Sequence, residues 1–276
     1  MWGGSRGEGR GTRGQGFEIS LDRRLARCRS PASIKRERQG ASRRCVRFWI
    51  EQVFASTKDS EASPPNLVVG ITGASGAVYA VRLLEVLVQA GSHVYLSISP
   101  AGQAVFREEL GIEVDLDAFD PASLWRTDVL DLGFLQRAEA TRAASGVIHY
   151  CHYKNLLAPI ASGSFLTGGM VVCPCSGSTL GAISHAMGEN LIHRAAEVHL
   201  KERRKLILVP RETPLSLIQL DNMRRATEAG AIVLPASPGF YHGVKGIRDL
   251  VDFIVARICD QLAVPHNLMR RWGEER

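Results

Sequence analysis

A three-layer α/β fold around an open parallel sheet is what this 276-residue sequence predicts. Two observations carry the prediction. From residue 66 onward, short and almost wholly apolar runs alternate with longer stretches of helical periodicity. Four of those runs end in loops rich in Gly, Pro, Ser and Thr, at the edge where an open parallel sheet binds ligands. A hydrophobic content of 45% is ample for one good-sized domain, placed at 66–276.

Taken in order, the first strand is Asn66–Ile71, an apolar run closed by Thr72-Gly73-Ala74-Ser75-Gly76. A helix over 77–90 follows, then a strand at His93–Ile98 and a weaker one at Val147–Tyr150. Residues 111–146 show no regular pattern and receive no element. The next strand, 169–173, runs into Cys173-Pro174-Cys175-Ser176 and a helix over 179–187, with another over 191–204. Strand 206–209 ends in Pro210-Arg211-Glu212-Thr213-Pro214 before a helix over 215–229, and strand 231–234 ends in Pro238-Gly239-Phe240-Tyr241-His242. The last helix, Ile247–Leu262, shows its buried stripe in Ile247, Leu250, Val251, Ile254, Val255, Ile258 and Leu262. Arg257 stands at the edge of that stripe, where a cation is costly unless it meets an anion; a structural ion pair and a bound ligand both satisfy that need.

Charge narrows the functional classes. Of 34 Lys and Arg and 28 Asp and Glu, 14 and 7 lie in residues 1–65, which leaves 20 and 21 for 66–276. The basic balance belongs to the N-terminal extension, so it does not argue for nucleic-acid binding by the folded domain. That extension is rich in Gly, Arg and Ser and is expected to be disordered. A solvated extension, or translated sequence upstream of the natural start, accounts for it better than an organelle transit peptide, which would carry few acidic residues. There is no secretory apolar segment and no run near the roughly 18 residues a membrane span needs, so a cytoplasmic protein is expected. The six cysteines are scattered and read as reduced thiols; Cys173-Pro174-Cys175 has the wrong spacer for a zinc knuckle or a thioredoxin motif.

The loops carry the chemistry. Gly73-Ala74-Ser75-Gly76 between strand and helix suits close backbone approach to an anion, with helix-terminal N–H groups pointing outward. It mimics the start of a short-chain dehydrogenase, but Val78 replaces the third glycine and the second strand ends without an acidic residue for a ribose. Tyr241 and Lys245 have the Tyr-x-x-x-Lys spacing of those enzymes, yet glycines and a proline break the helix that pair needs. Ser176-Gly177-Ser178-Thr179 either caps a helix or holds a phosphate or flavin edge, and the two duties are compatible. Prolines on both sides stiffen Arg211-Glu212 at a strand's end, which suits catalysis better than surface solvation. The eight histidines offer no metal triad, and no aspartate-rich segment is present to hold magnesium diphosphate.

These blocks, in this order over about residues 66–273, resemble the flavin prenyltransferases, the UbiX family formerly described as aromatic acid decarboxylases. Asn190-Leu191-Ile192, Leu200-Lys201-Glu202-Arg203-Arg204 and Arg271-Trp272-Gly273-Glu274 complete the likeness. The resemblance implies a flavodoxin-like or Rossmann-like single domain that binds FMN at subunit interfaces of a homo-oligomer, typically a dodecamer. It implies transfer of a dimethylallyl group from dimethylallyl phosphate to N5 and C6 of reduced FMN without a metal, the product serving a UbiD-type decarboxylase.

Carried over position by position, the resemblance assigns Gly73, Ala74 and Ser75 to the first FMN loop, Ser75 also to catalysis, and Ser99 to the position after the second strand. Ser176, Gly177, Ser178 and Thr179 match the isoalloxazine loop and Arg211 an FMN contact. Tyr241 and Arg257 match ligands of the prenyl phosphate, Lys201 a lysine directed at that phosphate, and Glu212 the glutamate that handles a proton. Trp272 matches a tryptophan near the active site. Leu156 departs from the aromatic that many members carry, with Tyr153 nearby. FMN-dependent cysteine decarboxylases share the implied fold, but this chain lacks their Pro-x-Met-Asn segment; a flavin carrier would not need a second phosphate site.

Overall fold

The computed structural model describes residues 66–125, 146–271 and Gly273. The chain divides into two units, Met1–Glu61 and Ala62–Arg276, and the described residues all fall in the second. The expectations for residues 1–65 and for Trp272 lie outside the described residues.

Apolar runs that fill both faces of a strand require cover on both sides, and the sheet has it. Strands β1 (Asn66–Ile71), β2 (His93–Ile98), β3 (Val147–Tyr150), β4 (Gly169–Cys175), β5 (Leu206–Pro210) and β6 (Ile232–Val233) form one sheet in the order β3-β2-β1-β4-β5-β6. Every pairing is parallel, with Leu67 opposite Val94 on one side and Gly169 on the other. The helices are α1 (Ala77–Gln89), α2 (Pro100–Leu110), α3 (Gly177–Ser184), α4 (Leu191–Lys201), α5 (Leu217–Glu228) and α6 (Ile247–Leu262).

Side-chain alternation splits the core in two. Leu67, Val69 and Ile71 of β1 pack with α1, α2 and α6 on one face. Val68, Met170 and Val172 pack with α3, α4 and α5 on the other. This is the doubly wound arrangement, α/β in three layers as expected. The sequence reading missed α2. Of its residues only Gly102, Phe106 and Leu110 are buried, a thin i, i+4 stripe beside charged Arg107, Glu108 and Glu109. It also ran the helices long, because α3 stops at Ser184 and α4 at Lys201.

Burial places a pH dependence on α4. His199 is 1% exposed; its Nδ1 lies 2.7 Å from the Ala195 carbonyl and its Nε2 2.8 Å from Thr167 Oγ1, partners that suit a neutral ring. Burial depresses its pKa below the ordinary 6.5; the Ala195 bond opposes that shift and the Arg204 charge adds to it. A depressed folded pKa means that the unfolded chain binds the extra proton first. Stability is then full above pH 6.5 and is lost as pH falls through the folded value. Denaturant midpoints are expected to fall from pH 7 toward pH 5. His199→Gln should flatten part of that fall, His193, also depressed by burial, supplying the rest.

Among the described residues, no helix is long and apolar enough to cross a membrane.

Candidate active site

β1 lies between β2 and β4, so the chain winds away from it in both directions and opens a crevice at the carboxyl ends of β1 and β4. The loops that leave these two strands are bonded to each other. Thr72, 2% exposed, donates from its backbone N–H and its hydroxyl to the Pro174 carbonyl, at 3.2 and 2.9 Å. The same hydroxyl accepts the Ser176 N–H at 2.8 Å. One buried side chain therefore fixes Gly73, Ala74 and Ser75 beside Ser176, Gly177, Ser178 and Thr179. Their adjacency could not be read from the sequence, since the loops are about a hundred residues apart.

Glycine at position 73 is required by packing. A Cβ there would lie 2.4 Å from Ala101 Cβ, so the β1 loop sits directly on the first turn of α2. Gly73→Ala is expected to push the two loops apart and weaken FMN binding by roughly tenfold or more, about the cost of modest overpacking. Ala101→Gly in the same chain should recover most of that loss; flavin fluorescence titration measures both, and no recovery would mean the space is needed for something other than α2.

The first turn of α1 departs from the sequence reading. Gly76 has φ 116°, a left-handed turn that glycine tolerates. Its N–H and that of Ala77 are not left for a ligand. Glu109 of α2 takes both, with Oε2 2.9 Å from Gly76 N and 2.8 Å from Ala77 N. A carboxylate on a helix N-terminus is favoured by the dipole, so Glu109 locks the cradle and brings a negative charge to its rim. No local signal marks Glu109, because its partner lies on a different element.

The other loop residues that the sequence assigned sit along the same edge. Ser99 caps α2, its Oγ accepting the Gly102 N–H at 3.1 Å, while its own N–H donates to Ile71 at the end of β1. Ser176 caps α3 by accepting the Thr179 N–H at 3.3 Å, and its hydroxyl lies 3.1 Å from that of Ser178. Ser75 is half-buried within the first loop. The capping duties are therefore real, and Ser178 is exposed.

Pro210 pairs with Cys175, which places Arg211 and Glu212 next along the rim. The positive charge of Arg211 pulls down on the Tyr79 hydroxyl while Glu109 pushes it up, so both charges act on α1 at the crevice, where burial keeps the phenol raised. Glu212 is oriented by its surroundings. Its carboxylate accepts the Thr213 N–H at 3.1 Å and Gln219 Nε2 at 3.3 Å. Gln219 is itself fixed, its Oε1 accepting the Ser216 N–H at 2.9 Å in the capping box that starts α5, and it abuts Gly177, whose absent Cβ would lie 3.0 Å from its Nε2. Gln219 is a further residue that the sequence did not single out. The buried thiols of Cys173 and Cys175 are no nucleophiles here: burial pushes both up, Cys175 to about 12.

Three assigned residues stand on other elements. Lys201 ends α4 and pairs with Glu202 above Gly163, at the opposite edge of the sheet from Arg211. The length of β5, about 17 Å, separates those two edges. Tyr241 lies after β6, its ring edge-on to Phe253 of α6 at 5.8 Å. Arg257 stands one turn beyond Phe253 and pairs with Asp260 at 2.8 Å. It is 47% exposed rather than held at the margin of the core, so the ion pair answers the cost that its sequence position suggested. It lies five residues past Asp252, which pairs with Arg82 of α1, hence about 140° around the helix from the side that faces α1. Leu156, 50% exposed, sits on the loop before β4, and Tyr153 turns its ring under the Lys154 ammonium at 5.6 Å.

Comparison with known proteins places this geometry. Residues 55–259 match the model of the Flavoprotein family. Flavin prenyltransferase UbiX of Halalkalibacterium halodurans is 45% identical over 208 residues, covering 75% of this chain and 93% of that protein. The chain belongs to the flavin prenyltransferase UbiX family. The Pseudomonas aeruginosa member is 45% identical over 214 residues, 78% of this chain and 97% of its own. Among solved structures, AnUbiX (PadA1) in complex with FMN and dimethylallyl pyrophosphate matches with TM-score 0.63 and 35% identity, over 77% of this chain and all 100% of its own. A dodecameric FMN-dependent UbiX-like decarboxylase of Escherichia coli O157:H7 matches with TM-score 0.61 and 35% identity, over 76% and 100%. Membership makes the chain a transferase with the flavodoxin-like UbiX fold, and among its described residues no group of His, Cys, Asp and Glu is placed to hold a metal ion.

Proposed function

We propose that this protein transfers a dimethylallyl group from dimethylallyl phosphate to N5 and then C6 of reduced FMN, and that the prenylated flavin passes to a UbiD-type decarboxylase. The observation that carries the reading is the Thr72 tie, which sets two small-residue loops side by side at the switch point of the sheet with Arg211 and Glu212 on the same rim. The groove suits a flavin: Ser99 and Ser176–Thr179 supply hydroxyls, and Arg211 offers a cation to its anionic parts. Reduced FMN, when bound, supplies the nucleophilic N5 and C6.

The protein's share is to orient, to exclude water and to receive charge. An allylic phosphate leaves as a dianion, and fixed cations with hydroxyl donors stabilise it. Arg257, Tyr241 and Lys201 are the groups assigned to that task. In this reading neighbouring copies in a homododecamer complete each crevice across subunit contacts, and Lys201, at the opposite edge of the sheet from Arg211 in its own chain, serves a neighbour's crevice. Closing the second bond uses the prenyl double bond, which takes up one proton as C6 gives one up, and Glu212, oriented by Thr213 and Gln219, is the group that takes the C6 proton.

The test is direct. Protein, FMN, dithionite and dimethylallyl phosphate are combined without oxygen, and the flavin is weighed by mass spectrometry. A flavin heavier by one prenyl unit is expected; recovery of unmodified FMN alone under conditions that saturate both substrates would overturn the proposal.

A further inference from the structure

Asp260 is a hub at the end of α6. Its Oδ2 accepts Arg257 Nη1 at 2.8 Å, while its Oδ1 takes Arg271 Nη2 at 2.9 Å and His266 Nε2 at 3.1 Å. The His266 side chain is 2% exposed and its Nδ1 lies 3.4 Å from the Leu268 N–H, which assigns the ring proton to Nε2 and makes the ring a donor to Asp260. Exposure then rises outward, from 18% at Asp260 to 47% at Arg257 and 60% at Arg271. Burial pushes the Asp260 pKa up, but the His266 and Arg271 bonds bring it below the ordinary value, so the group is a carboxylate. Beyond the helix, residues 265–268 are parted from the last turn of α1 by an open cleft of about 500 Å³. Asp260 therefore joins a flexible guanidinium to a buried imidazole and to the chain segment that follows.

We propose that Asp260 is a positioning residue that orients Arg257 for the allylic phosphate and couples that guanidinium to the segment carrying His266 and Arg271. The inference rests on the assignment of Arg257 to the prenyl phosphate. A carboxylate beside a phosphate-binding arginine has two possible effects with opposite signs. If it merely competes for the guanidinium, its neutralisation tightens phosphate binding; if it fixes the guanidinium's direction, neutralisation weakens binding.

Asp260→Asn is expected to raise KM for dimethylallyl phosphate about tenfold, the scale of one charge-assisted hydrogen bond, with kcat changed by less than about threefold. FMN affinity should stay unchanged, which also reports an intact fold. Asp260→Glu, which keeps the charge but displaces it, should raise KM by about threefold. In an Arg257→Ala background the Asn change should add nothing further. An unchanged or lowered KM in Asp260→Asn, or a rise that persists without Arg257, overturns the proposal. If the Asn variant fails to bind FMN, the Glu variant decides in the same way. Should Arg257→Ala itself leave KM unaltered, the assignment of Arg257 fails first, and the two failures are told apart.

Discussion

Glu212→Gln is expected to slow prenyl transfer by about two to four orders of magnitude, the range seen when a positioned proton acceptor is lost. The side chain is held from both sides, by the Thr213 N–H at 3.1 Å and by Gln219 Nε2 at 3.3 Å. A glutamine retains one acceptor oxygen and the same length, so the loop loses a single exposed hydrogen bond and little stability. What disappears is basicity. FMN affinity, which the proposed function assigns to the Gly73 and Ser176 loops, should therefore change by less than about twofold while turnover collapses. Anaerobic single-turnover measurements isolate the step, and an unaltered rate there would falsify the role given to Glu212. Gln219→Leu should produce a milder version of the same defect, because it frees the carboxylate without removing it.

The second large effect concerns stability. Arg82→Ala should destabilise the domain by about 3–5 kcal/mol, the cost of breaking a buried ion pair from one side. Arg82 joins α1 to α6: its Nε lies 2.6 Å from Asp252 Oδ1 and its Nη1 2.7 Å from Glu85 Oε2. The arginine is 3% exposed, Glu85 2% and Asp252 10%, so deletion removes the cation shared by two buried carboxylates, leaving Glu85 with the Gln89 amide at 3.2 Å. Burial already raises the Glu85 pKa, with Arg82 opposing that rise, so the variant's Glu85 should take up a proton on folding. Arg248, 3.7 Å from Asp252, blunts the loss without cancelling it. For a domain of this size the unfolding midpoint should drop by about 6–20 °C. Replacing Arg82, Glu85 and Asp252 together with apolar residues should recover most of that loss. A midpoint in Arg82→Ala within a degree or two of the parent would refute the burial argument.

Local patterns made much of this architecture legible. β1 and β2 fall where their runs predict, because a strand covered on both faces needs no long-range information to be largely apolar. α2 escaped because it buries a single thin stripe and spends its other faces on charge. At the site, the sequence marked the loops but not what holds them. Glu109 and Gln219 act on Gly76 and Glu212 across elements, and a carboxylate or amide on an amphipathic helix carries no local sign of such a partner.

Sequence by itself determined which residues close each strand: small and hydroxylic ones after β1, β2 and β4, a stiffened Arg-Glu pair after β5, an aromatic turn after β6. These are local choices, set by backbone conformation and by strand and helix periodicity. Tertiary structure alone decided that β1 and β4 are neighbours, which turns distant loops into one crevice, and that Lys201 lies at the opposite edge of the sheet in the same chain. The reason is physical. Strand order and helix facing come from burying two separate cores across a sheet, a long-range compromise that no short window of residues records.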